Sequence, residues 1–252
     1  MTIDRPQPRQ IPGLRKLWKE AFGDSDTWLD TFFALGFSPD RCRCITEEGR
    51  PTAALYWFDV TLEDRKLAYL YAIATAQDRR GRGLCRGLMA DTHRHLKELG
   101  YAGAVLVPAE PSLSGFYGRM GYETVSGIRV FSCSAGSLSE PLRKLSAEEY
   151  ARLRRQISPA GTVLQEGPLL DLLASQAEFF AGDGLLLTVQ RDGSHAFCPE
   201  FLGDPEKAPK VLAALSLDSG IFRTPGSETP FAMAHFFSGN PVPICYFAFA
   251  LD

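Results

Sequence analysis

Nothing in this 252-residue chain limits its folding more than the run from Leu67 to Gly87. Residues Leu67 to Thr75 are almost continuously apolar, the pattern of a strand buried on both faces. Arg79-Arg80-Gly81-Arg82-Gly83-Leu84-Cys85-Arg86-Gly87 follows and opens a helix. Along it Leu84, Leu88, His95 or Leu96, and Leu99 recur at a helical period, and Gly100 ends it. A helix begins with backbone N–H groups that lack intrahelical partners and with the positive end of its dipole. Glycines let the backbone approach an anion with no Cβ in the way, and Arg80, Arg82 or Arg86 add charge. The local reading is a phosphate or pyrophosphate site at a helix N-terminus; the alternative is a basic helix start with a solvated arginine face.

Spacing separates the glycine-rich loops that share this physics. Glycines at 81, 83 and 87 miss G-x-G-x-x-G by one residue, and G-x-x-x-x-G-K-[ST] is absent. The pattern R-x-x-G-x-[GA] fits as Arg80-Gly81-Arg82-Gly83-Leu84-Cys85, with Cys85 where Gly or Ala is usual. Tyr101 to Val107 then reads as a short buried strand, and Phe116-Tyr117-x-x-x-Gly121-Tyr122 follows it. Taken alone, Tyr117 is as well explained as a core aromatic on a short helix. Together the two motifs resemble the GNAT superfamily of N-acetyltransferases.

That resemblance implies an α/β (α+β) acyl-CoA N-acyltransferase fold, a mixed central sheet flanked by helices. It implies direct acetyl transfer from acetyl-CoA to an amine. Arg80, Gly81, Arg82, Gly83, Leu84, Cys85 and Arg86 would hold the pyrophosphate. The strand edge around Ile73 and Thr75 would pair with the pantetheine amides, beside a splay from Tyr101–Val107. Tyr117 would protonate the departing thiolate. Glu110, just upstream, is the candidate base, against its reading as an exposed loop acid. The loop residues Arg79, Arg80, Arg82, Gly83, Leu84 and Arg86, with Tyr117, Gly118, Arg119, Gly121 and Tyr122, further resemble the tandem enhanced-intracellular-survival subgroup. Its members carry a sterol-carrier-like domain, for which this length leaves no room. They also bring the terminal carboxylate, here that of Asp252, into the active site.

Around this motif pair the chain reads as two halves, 1–135 and 141–252, joined by Ser134 to Glu140. The first half runs as two helices (Gln10–Phe22 and one around Trp28–Phe33), a hairpin (Arg41–Thr46 with Thr52–Thr61), the central strand and helix, a strand, the tyrosine helix and a closing strand, Glu123–Cys133. Asp24, Asp26 and Asp30 in the helical region read as caps and surface charge, with attraction of a cationic amine as the alternative. The second half repeats the order: a capping box at Ser146–Glu149 opens a helix, Leu169–Phe180 reads as another, and strands are expected at Gly184–Gln190, Ser194–Phe201, Ile221–Arg223 and Ile244–Leu251, with a helix over Pro205–Leu217. Gly203-Asp204-Pro205-Glu206 stands where the arginine loop would be, and Pro230–His235 lacks the tyrosine pattern. The second half is therefore expected to be a smaller, degenerate GNAT-like domain without a CoA site; a plain α+β accessory domain is the alternative.

Composition narrows the partners. Residues 1–135 hold 18 Lys and Arg against 16 Asp and Glu, the remainder 9 against 14, so nucleic acid is not expected. No apolar run is long enough for a membrane span, and Met1–Pro6 lacks a secretory h-region. Six cysteines without C-x-x-C pairs suggest a reducing cytoplasm, with Cys42 and Cys44 at alternate strand positions. His93 and His95 point to different helix faces and His195 and His235 lack ligand neighbours, so no metal is expected. The expected partner is a small-molecule or peptide amine; homo-oligomerisation stays open. A non-catalytic acyl-CoA sensor is the second functional reading, and the presence of Tyr117 leans against it.

Overall fold

The computed structural model describes residues 2–238 and 242–251. They divide into two compact units, each discontinuous in sequence. One is formed by the chain up to Leu106, by Gly115–Glu123 and by the segment starting at Ala234; the other by Val107–Ser114, Thr124–Met233 and the segment starting at Val242.

In the first unit come β1 (Thr2–Asp4), α1 (Ile11–Phe22), α2 (Asp26–Thr31), β2 (Cys42–Glu47), β3 (Arg50–Leu62), β4 (Arg65–Thr75), α3 (Leu84–Glu98), β5 (Gly103–Leu106) and α4 (Ser114–Gly118). Helix α1 buries Leu14, Leu17 and Trp18, one stripe at helical spacing, and stops at Gly23 in the left-handed region. Ser25 caps α2 by accepting from the Trp28 N–H, and one π-helical turn, Phe32–Gly36, continues it. Strands β1 to β4 are antiparallel neighbours in order, and β4 pairs in parallel with β5. Residues 51–58 of β3 and 67–70 of β4 are continuously buried, so both faces of the sheet are covered there. Trp18, Phe32 and Tyr56 lock α1 onto the sheet, with Trp18 4.5 Å from Phe32 and 5.2 Å from Tyr56 between ring centroids. Each such fully buried ring contributes about 1.5–3 kcal/mol by leaving water. Cys42 and Cys44 alternate along β2 as expected, both buried.

The chain continues as β6 (Glu123–Ser134), β7 (Arg143–Leu145), α5 (Ala147–Ile157), β8 (Val163–Gln165), α6 (Pro168–Ala174), β9 (Glu178–Gly182), β10 (Leu185–Asp192), β11 (His195–Cys198), β12 (Phe201–Leu202), α7 (Ala208–Ala214), β13 (Ser219–Gly226) and β14 (Thr229–Phe236). The capping box forms, with Ser146 and Glu149 each accepting from the other's backbone N–H. Helix α5 turns Tyr150 and Arg154 inward; Arg154 makes a bidentate pair with Glu200 at 2.6 and 2.8 Å, and Tyr150 donates to the same carboxylate. Losing one partner of such a buried pair costs about 3–5 kcal/mol.

Two expected elements differ. The helix read over Leu169–Phe180 stops at Ala174, because Phe179 and Phe180 join the ladder of β9 with β10 and Phe179 stacks on Tyr150 at 4.4 Å. The strand read over Ile244–Leu251 is absent: the segment is buried, but only Tyr246 bridges, to Thr162. A short apolar run reports burial without reporting its partner. Pro230–His235 lies within β14.

The second unit repeats the plan of the first. Strands β7, β9, β10 and β11 are antiparallel neighbours in that order, and β11 pairs in parallel with β13. Closing strands are where the sequence misleads. β6, expected to close the first half's sheet, pairs along Gly127–Ser134 with β13 in the second unit. In the first unit the strand beside β5 is the end of β14.

Candidate active site

Strand β4 delivers the glycine loop, and its own geometry changes just before it does. Ala54 pairs with Ala74 and Tyr56 with Tyr71, so Ala72 and Ile73 together oppose one residue, a β-bulge. Ala72 sits at φ 48°, a conformation that costs a non-glycine residue about 1–2 kcal/mol. Pairing with β5 covers Leu67, Ala68 and Tyr69 only, leaving the edge of β4 from Leu70 onward without a β5 partner. Burial becomes alternating over the same stretch, with Tyr71, Ile73 and Thr75 half-buried. Ile73 and Thr75 thus lie on a bulged strand end with backbone hydrogen-bonding capacity toward the gap.

Past Thr75, a 3-10 turn at Gln77–Arg79 is braced from three sides. Glu20 accepts from the Gln77 N–H at 2.5 Å, Glu47 holds Arg79 at 2.9 Å, and Asp78 pairs with Arg79 at 2.7 Å and with Arg50 at 3.3 Å. Arg79 is therefore spent on structure, and the Arg80 Nε donates back to the Thr75 carbonyl at 3.2 Å. Gly81 and Gly83 both take φ 76°, and Gly83 is the N-cap of α3. No side chain caps this helix and no acid lies in its first turn. Leu84 is buried beneath the loop and Cys85 is half-buried, while Arg82 and Arg86 are exposed and pair with no described residue. Orphan N–H groups, a helix dipole and two unengaged guanidinium groups converge on one spot, which suits a phosphate-bearing ligand.

Tyr117 of α4 is 8 % exposed. Burial, with a smaller contribution from Cys85, pushes its phenol up to about 12, so it is protonated at neutral pH. Its hydroxyl bonds to no described residue, whereas its carbonyl accepts from Met120 and Tyr122 N–H at 2.8 and 3.2 Å. Burial likewise raises the Cys85 thiol to about 11, leaving it unreactive as a nucleophile. Tyr122, 2 % exposed, stands 6.0 Å from Tyr117 ring to ring and shares a 2.8 Å hydrogen bond with His93 Nε2.

Glu110 lies in the second unit. It is exposed, at the start of a 3-10 turn, and accepts from its own Ser112 hydroxyl at 3.2 Å. Asp24, Asp26 and Asp30 are each taken up locally, by Trp18 Nε1 at 2.7 Å, Lys19 at 2.9 Å and Arg15 at 2.5 Å. Among the described residues no cluster of three or more His, Cys, Asp or Glu is arranged for a metal. Asp252 lies outside the described residues.

Sequence reasoning weighed His93 and His235 only as metal ligands and gave them no place at the site. His93 falls on the helical face of Cys85 and Met89, at i+8 and i+4, so its approach to the tyrosine helix was readable. Its partner His235, whose ring lies 4.9 Å away, was not.

Residues 2–125 match the family described as "Acetyltransferase (GNAT) domain". The match is to a GNAT acetyltransferase domain, over just under half of the chain. Solved structures extend the likeness in fold beyond it. A GCN5-related N-acetyltransferase from Kribbella flavida is 15% identical, over 93% of this chain and 71% of that one, with a TM-score of 0.71. Another, from Anabaena variabilis, is 14% identical over 92% and 72%, with a TM-score of 0.69. Eis1 from Mycobacterium abscessus is 11% identical over 94% and 74%, with a TM-score of 0.65. No curated protein sequence matches the chain. The fold is thus the mixed α/β GNAT fold over most of the length, although the GNAT domain match itself ends at residue 125.

Proposed function

We propose that the chain is an N-acetyltransferase that moves an acetyl group from acetyl-CoA directly to an amine. The observation carrying this reading is the uncapped start of α3, with Gly81 and Gly83 at positive φ and Arg82 and Arg86 pairing with no described residue, beside the bulged end of β4, which pairs with β3 but not with β5. Leu84 and Cys85 supply further N–H groups to the pyrophosphate, and Ile73 and Thr75 supply backbone partners to the pantetheine. Arg80 positions the loop through Thr75 and adds charge. Holding thioester and amine together supplies much of the acceleration. Tyr117, protonated and with a hydroxyl lacking a protein partner, donates its proton to the departing thiolate. Glu110, exposed and accepting from Ser112, is left out of the assignment, and water takes the proton that the amine loses as the N–C bond forms and the C–S bond breaks.

The second unit, in this reading, is a degenerate repeat. Its strand order supports that, and so does Asp204, whose carboxylate caps the turn before α7 by accepting from the Glu206 N–H at 3.0 Å. An acid occupies the place where the first repeat would take an anion. The halves read at 1–135 and 141–252 then become two repeats, the tandem arrangement that the enhanced-intracellular-survival resemblance implies, with β6 and the end of β14 exchanged between them. Six free cysteines support a cytoplasmic setting; among the described residues no helix is long and apolar enough to cross a membrane.

The test is release of CoA thiol on mixing the protein with acetyl-CoA and a panel of aminoglycosides, polyamines, amino acids and peptides. Amine-dependent release is expected. Tight acetyl-CoA binding with no release across the panel would favour the sensor reading instead.

A further inference from the structure

The turn that carries Tyr117 ends at Gly121, and a residue from the far end of the chain rests on it. His235, on the last turns of β14, has its Nδ1 2.9 Å from the Gly121 carbonyl. A carbonyl only accepts, so Nδ1 bears the proton and donates it. Gly121 has φ 87°, and a Cβ there would lie 2.9 Å from His235 Nδ1 and 3.0 Å from its Cε1. A side chain at 121 would be strained by its backbone and would also displace the imidazole. The approach is repeated one strand over: a Cβ at Gly103 would lie 2.7 Å from the His235 carbonyl, and the Phe237 N–H donates to Ala102 at 2.9 Å. Two glycines of the first unit are thus filled by the backbone and ring of residues 235–237.

The imidazole also closes an aromatic group. His235 lies 5.6 Å from Tyr122, 4.9 Å from His93 and 5.6 Å from Phe237, and His93 bonds the Tyr122 hydroxyl. Tyr122 N–H and Met120 N–H both donate to the Tyr117 carbonyl. Constraint on Gly121 and Tyr122 therefore passes to Tyr117 through two backbone bonds. Helix α4 spans only Ser114–Gly118, too short to hold its own geometry without tertiary support.

We propose that His235 is a positioning residue for Tyr117: through its Nδ1–H bond to Gly121, β14 fixes the helix that presents the phenol, so the transfer site of the first unit is incomplete without that strand. The proposal rests on the assignment of Tyr117 as the acid. His235 touches no residue of the glycine loop in this arrangement, so its loss should act on chemistry and leave acetyl-CoA binding alone.

The full-length chain is compared as wild type, His235→Asn, which can place an amide N–H near the Nδ1 position, and His235→Phe, which keeps a ring and loses the donor. Three readings are taken: backbone hydrogen exchange over residues 114–122, acetyl-CoA affinity, and the single-turnover rate of acetyl transfer to the best amine. His235→Phe is expected to speed exchange in that segment at least tenfold and to slow transfer at least tenfold, with affinity changed less than twofold. His235→Asn is expected to recover most of both losses. Unchanged exchange in His235→Phe overturns the clamp. Faster exchange with an unchanged rate overturns its catalytic relevance, as does an Asn variant as impaired as Phe. If Tyr117→Phe transfers at the wild-type rate, it is the acid assignment that fails, while the exchange reading still decides whether His235 holds the helix.

Discussion

Tyr117 combines three properties that a core aromatic need not have together: burial, a phenol raised to about 12, and a hydroxyl with no described partner. Tyr117→Phe keeps the ring's packing and removes only the proton. Turnover measured in single-turnover mode should drop by roughly 10²–10⁴-fold, with melting temperature and acetyl-CoA affinity nearly unchanged. An intact rate would return Tyr117 to the core. His93 carries a second prediction at this scale. Burial first, and the neighbouring His235 second, lower its imidazole to about 4. An unfolded histidine titrates near its ordinary value of about 6.5, so the unfolded chain binds this proton first as pH falls. The neutral His93 thus contributes its full stability above about 6.5 and loses it progressively down to about 4, by about 3 kcal/mol. His93→Gln should flatten the decline of melting temperature between pH 7 and pH 4 relative to wild type; equal slopes would contradict the burial argument.

Among elements, α3 starts without a side-chain cap, as α1, α6 and α7 do and as α2 and α5, capped by Ser25 and Ser146, do not; what sets α3 apart is Gly81 and Gly83 at φ 76° beside the exposed Arg82 and Arg86. Capping adds stability of about 1 kcal/mol, so a bare terminus forgoes it and leaves its N–H groups open, which the proposed pyrophosphate site at α3 would use. Acetyl-CoA at a hundredfold excess over its Kd should stabilise the chain by about 2.7 kcal/mol, a rise of several degrees in Tm. Gly83→Val forces a β-branched residue to φ 76° and removes the cradle. Its ligand-induced shift, read against its own unliganded Tm, should fall to near zero. A shift equal to wild type would refute the anion site.

At the scale of the molecule, two units share one strand order yet differ at the turn that precedes the third helix of each. In one, glycines stand there with Arg82 and Arg86, which pair with no described residue; in the other, the Asp204 carboxylate caps the 3-10 turn that leads into α7. Calorimetric titration should therefore give about one acetyl-CoA per chain. Two equivalent sites would mean that the second repeat binds despite its acid, against the electrostatics at that terminus.

Local physics made much of this readable from residues alone. The strand–loop–helix run, the left-handed glycines, the tyrosine helix and the Ser146 capping box all depend on neighbours a few positions apart, and each lies where its spacing puts it. What the spacing could not carry was partner choice. The apolar runs at Phe179–Phe180 and Ile244–Leu251 have similar hydrophobicity, yet one enters a ladder and the other packs as irregular chain. Strand β6 alternates as a sheet member should, but its pairing with β13 in the second unit depends on which edge is free once both units have formed. His235 and Gly121 are 114 residues apart, and neither has any local feature that points to the other. Period and propensity act within one element, whereas the fit of an imidazole into the space of a missing Cβ exists only after the whole chain has closed.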